Sequence, residues 1–225
     1  GQLDQGAFIL YYQNVPVVMD SGIEGYFEAS TQWHLSSYSH ACLQFAVTPE
    51  EQSRYRRKEN GINLTAGNYS LDRGWWDVPR VCRVLGAETG EETDSICMEI
   101  SHPLGKEKGI HQRTIQFYKD SGEVMIRDRI ENYQGKVLFS LPLALHSAKA
   151  EGNVVHGAGY YSVYADVEFF ATPEELLIEQ GRTTPMFSGS GDVPMLLYVR
   201  AKFDATQEIQ VRIRPRKDMA GAGTK

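Results

Sequence analysis

Residues 113–130, RTIQFYKDSGEVMIRDRI, alternate apolar and polar side chains on both sides of a short turn. Ile115 and Phe117 precede the turn sequence Lys-Asp-Ser-Gly, and Val124 and Ile126 follow it at the same two-residue spacing. Side chains two residues apart point to one face of a strand, and polar turn residues with a glycine join antiparallel strands. The stretch therefore predicts a β-hairpin with one buried face.

The same period of two recurs along the whole chain. Near the C-terminus Ile209, Val211 and Ile213 alternate with polar residues, as in a strand with one solvated face. About a dozen short strands at this spacing are typical of sandwiches and barrels. The sequence therefore predicts an all-β fold, a large antiparallel two-sheet β-sandwich with few or no helices. The further apolar runs are residues 6–12, 15–20, 41–47, 80–86, 95–100, 137–145, 160–170, 174–181 and 195–203.

One domain accounts for nearly the whole chain. We expect the β-sandwich to span residues 1–218, followed by a flexible tail of small and polar residues over 219–225. The only stretch that predicts a helical turn is 48–61, with Thr48 as its N-cap and Pro49 at its first position.

Composition excludes several classes of protein. The formal net charge of −6 at pH 7 disfavours non-specific nucleic-acid binding, because nothing offsets phosphate repulsion. No apolar stretch approaches the roughly 20 residues that a membrane-spanning helix needs. The three cysteines form no C-x-x-C pair, which argues against a zinc knuckle or a disulfide framework. We therefore expect no nucleic-acid partner and no membrane insertion.

The N-terminal stretch offers a candidate metal site. Two antiparallel strands between Gln2 and Asp20 would bring their far ends together, and His40 follows twenty residues later. An amide oxygen, a carboxylate and an imidazole form a mixed ligand set that suits a divalent metal such as Zn, Mn or Ca. The alternative is that Gln2 is a mobile terminal residue, Asp20 caps a turn and His40 is a core histidine with satisfied hydrogen bonds.

The order of these residues resembles a known enzyme family. Residues Gly1–Phe8 (GQLDQGAF), then Asp20–Gly22 (DSG), then Tyr26 and His40 are similar to the motifs that open the β-sandwich domain of heparinase II/III-type polysaccharide lyases. The stretch 111–145 resembles that family's His-x-Arg strand, its hairpin and the strand after it. The resemblance covers most of the first 150 residues.

This resemblance implies a function and a set of site residues. It assigns Gln2, Asp20 and His40 as metal ligands and places Tyr26, as a candidate catalytic residue, near the family's sandwich-domain tyrosine, with Tyr38 as a competing assignment. It also implies that a catalytic histidine and an α/α-toroid domain precede Gly1. The intact lyase would cleave a uronic-acid-containing polysaccharide by β-elimination, in the periplasm or outside the cell, and these 225 residues alone would lack meaningful activity.

Two further stretches could bind an acidic polysaccharide. The run RYRRKEN contains Arg54 and Arg57, whose guanidinium groups bind sulfate and carboxylate in a bidentate manner. Trp75 and Trp76 are adjacent, so only one of them can be exposed on a strand, and we assign Trp76 as the sugar-stacking residue. Two alternatives remain open at this point, a non-catalytic carbohydrate-binding sandwich and a purely structural one.

Overall fold

The structure of the chain is a computed structural model that describes residues 6–20, 39–44, 82–101, 110–182 and 195–217. Almost all of these residues lie in strands or in the turns between them, and they contain no α-helix. Within the same ranges no helix is long and apolar enough to cross a membrane. The predicted helical turn and the predicted C-terminal tail lie outside the described residues.

The described part of the chain forms fourteen strands. Their alternating burial follows the sequence pattern, most clearly in the last strand, where Ile209, Val211 and Ile213 are buried and the residues between them are partly exposed. In chain order the strands are β1 Leu10–Tyr12, β2 Val15–Val18, β3 Leu43–Gln44, β4 Cys82–Thr89, β5 Thr93–Ser101, β6 Ile110–Tyr118, β7 Val124–Glu131, β8 Lys136–Leu143, β9 Leu145–Glu151, β10 Val154–Gly159, β11 Val163–Phe169, β12 Glu175–Arg182, β13 Met195–Asp204 and β14 Ile209–Lys217.

These strands form two antiparallel sheets. The smaller sheet has six strands in the order β1-β2-β8-β13-β12, with β3 also paired to β8. The larger sheet has eight strands in the order β4-β5-β6-β7-β14-β11-β10-β9. The two-sheet antiparallel β-sandwich predicted from the sequence is therefore confirmed.

The core lies between the two sheets and combines side chains from both. Phe139 on β8 meets Phe169 on β11 edge to face, with ring centroids 5.9 Å apart. Phe203 on β13 lies 5.9 Å from Phe169 on its other side. All three rings are essentially buried, and contacts of this kind across the sheets are what hold the two layers together.

The run 137–145, which we predicted as one strand, is two strands. β8 ends at Leu143 in the smaller sheet, and β9 begins at Leu145 in the larger sheet. Only Ala144 lies between them, and its N–H donates to the carbonyl of Val17 at 2.9 Å. The chain thus changes sheets within one residue, which a continuous apolar run does not reveal.

Candidate functional site

The candidate site begins at one edge of β8. Along its opposite edge β8 pairs with β13 over its whole length. β2 and β3 therefore both pair with the first edge. Val18 of β2 pairs with Leu143, and Leu43 of β3 pairs with Phe139. Both strands run antiparallel to β8, so the residues after β2 and before β3 converge beside the stretch between those two partners.

Asp20 and His40 meet at this point of convergence. The Oδ2 of Asp20 lies 2.9 Å from the Nδ1 of His40, although twenty residues separate them in sequence. The imidazole is fully buried, whereas the carboxylate side chain is 34% exposed. The pair therefore has a fixed inner member and an outer member that solvent or a ligand can reach.

The hairpin that we predicted ahead of Asp20 is present. β1 and β2 pair antiparallel, with Leu10 opposite Val18, and the Met19 N–H donates to the carbonyl of Pro142 at 3.2 Å. Of the predicted site residues, the structure describes Asp20 and His40 and brings them together. The others, Gln2, Tyr26, Arg54, Arg57 and Trp76, lie outside the described residues, as does the competing Tyr38.

The described donor set fits a metal ion only in part. Asp20 and His40 are hydrogen-bonded to each other at 2.9 Å, whereas two ligands of a tetrahedral ion, each about 2.0–2.2 Å from the metal, are about 3.3–3.6 Å apart, so the two groups would have to separate slightly to share an ion. The described ranges contain no group of three or more His, Cys, Asp or Glu residues that could hold a metal. A metal at this point therefore needs a ligand from elsewhere, and the predicted one is Gln2.

A buried charged cluster lies beneath this pair, between the two sheets. Arg113 on β6 faces Asp128 on β7, and neither side chain is exposed. The guanidinium forms a two-pronged pair with the carboxylate, Nε to Oδ1 at 2.7 Å and Nη2 to Oδ2 at 2.8 Å. His111 adds a third contact, with its Nε2 2.7 Å from Oδ1 of Asp128.

The environment of this cluster sets the protonation state of each member. Burial would raise the pKa of the Asp128 carboxyl, but the charge of Arg113 and the hydrogen bonds from Arg113 and His111 hold it well below its usual range. Burial lowers the pKa of His111, and the neighbouring Asp128 opposes this only in part. At neutral pH the cluster is thus an ionised pair with a neutral histidine, whose Nε2–H donates to the carboxylate.

Arg113 also connects the cluster to the candidate site. Its Nη1 donates to the carbonyl of Gly6 and to the carbonyl of Ala41, both at 2.8 Å. Ala41 follows His40 directly, and Gly6 lies in the N-terminal segment that follows the predicted ligand Gln2. Gly6 has a φ of +77°, and a Cβ there would lie 2.6 Å from Cδ1 of Ile100, so this position favours glycine.

A second polar group supports the site from the outer face of the smaller sheet. The Tyr198 hydroxyl lies 3.5 Å from the carbonyl oxygen of Ser39, the residue before His40. The guanidinium of Arg200 lies over the Tyr198 ring, 4.9 Å from its centroid, and donates to Ser140 Oγ at 2.7 Å and to Glu179. Tyr198, Arg200 and Ser140 are all buried, so they hold the backbone around His40 rather than face solvent.

Sequence reasoning assigned no chemistry to His111 or Arg113 and did not single out Asp128. A signal for Asp128 was nevertheless present, because it occupies an inward position of the predicted hairpin between Ile126 and Ile130. A charged residue at such a position requires a buried partner. The position opposite it in the hairpin is that of Arg113.

This chain is similar to a known protein family in sequence and to solved structures in fold. Residues 1–193 match the protein family described as heparinase II/III-like, C-terminal. No curated protein is significantly similar to the chain in sequence.

Several solved structures share the fold. The heparan sulfate lyase HepC from Pedobacter heparinus superposes on 97% of this chain with a TM-score of 0.69 at 16% identity, and the match covers 31% of the lyase. A heparinase III, the BT4657 gene product, superposes on 98% of the chain with a TM-score of 0.68 at 15% identity, again over 31% of that protein. The Slr1438 protein from Synechocystis sp. PCC 6803 covers 92% of the chain and 86% of its own length, with a TM-score of 0.54 at 12% identity. The chain thus spans about a third of the length of the two lyases.

Proposed function

Because the chain belongs to the heparinase II/III-like C-terminal family, we propose that it is the β-sandwich domain of a polysaccharide lyase. In this proposal the domain forms one wall of a cleft in which a uronic-acid-containing polysaccharide undergoes β-elimination. The remainder of the cleft comes from an α/α-toroid domain that precedes the sandwich. The family match and the shared fold with two lyases support the proposal at the level of the domain.

The observation that carries the proposal for this site is the Asp20–His40 pair. Its two members come from different segments of the chain, and the strand pairing at β8 brings them to 2.9 Å. The imidazole is buried and solvent can reach the carboxylate, so a ligand would approach the pair from the side of Asp20. This is what a metal or substrate contact at the rim of a cleft requires.

We assign Gln2, Asp20 and His40 as the ligands of a divalent metal, Zn, Mn or Ca. The mixed set of two oxygens and one nitrogen allows each of these ions. The metal would supply a cross-link among three segments of the sandwich and so stabilise the rim. Within the described residues Asp20 and His40 are the members of this set, and the fold brings them within hydrogen-bond distance of each other.

The chemistry of β-elimination defines the remaining roles. The uronate carboxylate must be neutralised so that the C5 proton becomes acidic, a base must remove that proton, and an acid must protonate the departing 4-linked oxygen. We assign Tyr26 to the acid–base pair, because a positioned tyrosine can serve in either role. Arg54 and Arg57 would bind the acidic groups of the polysaccharide, and Trp76 would stack on a sugar ring.

The direct test is lyase activity of the full-length protein that contains this domain, on heparan sulfate and on alginate. The measurement is the ultraviolet absorbance of the unsaturated uronate product. We expect Tyr26→Phe to lower kcat by about 100-fold or more, the usual contribution of a general acid or base. The matched control is Tyr11→Phe, because Tyr11 is an exposed strand residue on β1, and this variant should retain full activity.

Three outcomes would contradict parts of the proposal. Unchanged turnover in Tyr26→Phe would remove that residue from the catalytic set. Strong activity of the 225-residue chain alone would overturn the division of the cleft between two domains. Glycan binding that depends on Trp76 without any product from the full-length protein would instead identify a non-catalytic carbohydrate-binding module.

A further inference from the structure

We infer that Arg113 is a positioning residue: it fixes the position of the N-terminal segment at Gly6 relative to the segment that carries His40. This inference rests on the proposed role of His40 in the site, and it concerns how the fold places that side chain. Arg113 acts through the backbone, because its Nη1 bonds the carbonyls of Gly6 and Ala41.

The geometry of the guanidinium leaves little freedom. Its Nε and Nη2 are held by the carboxylate of Asp128, which fixes the plane of the group. Nη1 carries two N–H bonds, and each has its own acceptor, the carbonyl of Gly6 and the carbonyl of Ala41. Because the guanidinium is rigid and planar, moving one carbonyl displaces the atom that binds the other.

The peptide group at Ala41 transmits this constraint to His40. Its carbonyl accepts from Arg113, and the N–H on the other side of the same peptide, that of Cys42, donates to the carbonyl of His40 at 2.9 Å. The next carbonyl, that of Cys42, accepts from Ser140 on β8 at 2.9 Å. The backbone at His40 is therefore bonded at consecutive points to the larger sheet and to the smaller one.

Stability alone is a weak reason for such an arrangement. Burying an ion pair costs desolvation that its attraction barely repays, and apolar replacements are often neutral or stabilising. Arg113 also packs against the ring of Phe139, 5.6 Å from its centroid, a place that an apolar side chain could fill. What an apolar residue cannot do is donate two hydrogen bonds from one atom to two separate segments. Arg113 does so while its other two nitrogens remain bonded to Asp128, which a lysine with its single nitrogen cannot reproduce.

The test uses Gly6→Ala, which disturbs one side of the guanidinium without altering any residue of the segment 39–44. A φ of +77° strains the backbone of an alanine, and its Cβ would also meet Cδ1 of Ile100 at 2.6 Å, so we expect the carbonyl of Gly6 to shift. We expect the ring nitrogen signals of His40 in the histidine-labelled chain, read by NMR, to move or broaden. Gly86→Ala is the matched control, because a Cβ there meets nothing within 4 Å, and it should leave the signals in place.

A second pair of variants identifies Arg113 as the connection. Arg113→Lys keeps the charge but offers a single ammonium, so the His40 signals should change in the folded protein, and adding Gly6→Ala should then produce no further change. Val211→Ala, a buried truncation on β14, controls for lost stability alone. If the proposed metal binds, its affinity should also fall by about 10–100-fold in Arg113→Lys, as for other residues that orient a ligand.

The inference is wrong if the His40 signals are the same in wild type, in Gly6→Ala and in folded Arg113→Lys. Equal effects of Gly6→Ala with and without Arg113 would also refute it, since the connection would then run through another group. Absence of metal binding or of lyase activity in the wild type would refute the proposed function instead. The NMR measurement depends on neither, so the two failures are distinguishable.

Discussion

The guanidinium of Arg113 and the carboxylate of Asp128 form a two-pronged ion pair between the two sheets, where neither side chain is exposed to solvent. The two residues lie directly opposite each other on β6 and β7. Removing one partner of such a pair leaves a buried charge without compensation, which costs far more than the pair itself contributes.

We therefore expect Asp128→Asn to lower the free energy of unfolding by about 3–5 kcal/mol, measured by urea denaturation at pH 7. The matched control is Asp166→Asn on the outer face of β11, where the arginine partner Arg216 is half exposed. Pairs near the surface contribute about 0–1 kcal/mol, so the control should be mild. Equal losses in the two variants would show that burial does not govern the energetics of this cluster.

The buried His111 makes stability depend on pH in a definite direction. Burial lowers its pKa in the folded protein, so below the ordinary value of about 6.5 the unfolded chain binds a proton that the folded chain does not. Stability should therefore fall as pH falls below about 6.5, with a limiting slope of about 1.4 kcal/mol per pH unit from this residue. Urea denaturation between pH 5 and pH 8 measures that slope.

His111→Asn should flatten this part of the profile, whatever its effect on stability at pH 7. Ile126→Val is the control, because it destabilises the same region without removing a titrating group and should keep the slope. Below about pH 4 a second loss of stability follows from Asp128. Its pKa is lower in the folded protein, so as pH falls the unfolded carboxyl takes up a proton before the folded one does, and the folded state loses stability. A slope above pH 5 that is identical in wild type and His111→Asn would contradict the assignment.

The contact between Gly181 and Tyr198 predicts a steric effect. A Cβ at Gly181 would lie 1.9 Å from Cε2 of the Tyr198 ring, which is buried and covered by Arg200. We expect Gly181→Ala to destabilise the protein by about 1–3 kcal/mol through overpacking. Thermal denaturation should show the loss, whereas Gly86→Ala, with open space around it, should be close to neutral. A neutral Gly181→Ala would mean that the ring can move aside without cost.

The proposed metal site predicts stabilisation by a divalent ion. Zn²⁺, Mn²⁺ or Ca²⁺ added to the chelator-treated chain should raise its Tm, because an ion that binds only the folded state stabilises it by about 2.7 kcal/mol at 100 times its Kd. Asp20→Asn should abolish the shift, since it replaces an anionic ligand by a neutral one. Glu88→Gln, an exposed acidic residue on β4, is the control and should keep the shift. If none of the three ions raises Tm in the wild type, the ligand assignment fails.

The hairpin at 113–130 shows how far local sequence can determine structure. Alternation placed Ile115, Phe117, Val124 and Ile126 on one face, and the polar turn set the register of the two strands. With that register the pairing of position 113 with position 128 follows by counting outward from the turn. The pairing of Arg113 with Asp128 could therefore have been predicted from the sequence. The prediction was based on the apolar residues alone and did not consider the charged residues between them.

The contact between Asp20 and His40 could not be predicted from the local sequence pattern. It depends on β2 and β3 both pairing with one edge of β8, which begins almost a hundred residues later in the chain. Spacing in sequence carries no information about such a non-local arrangement. The resemblance to a family supplied the residues, whereas the strand pairing supplies the physical reason for their proximity.

The crossing at Ala144 has a consequence for motion in the sandwich. Stacked sheets lie about 10 Å apart, but two residues span at most about 7 Å, so the layers must converge where β8 passes into β9. At that corner a single residue joins the two layers, so the chain itself limits how far apart they can lie there. Val17 is hydrogen-bonded to Ala144 at this corner, and Asp20 follows three residues later, so its carboxylate belongs to a segment anchored where the two layers are joined. We therefore expect a rim at Asp20 to hold its position relative to both sheets.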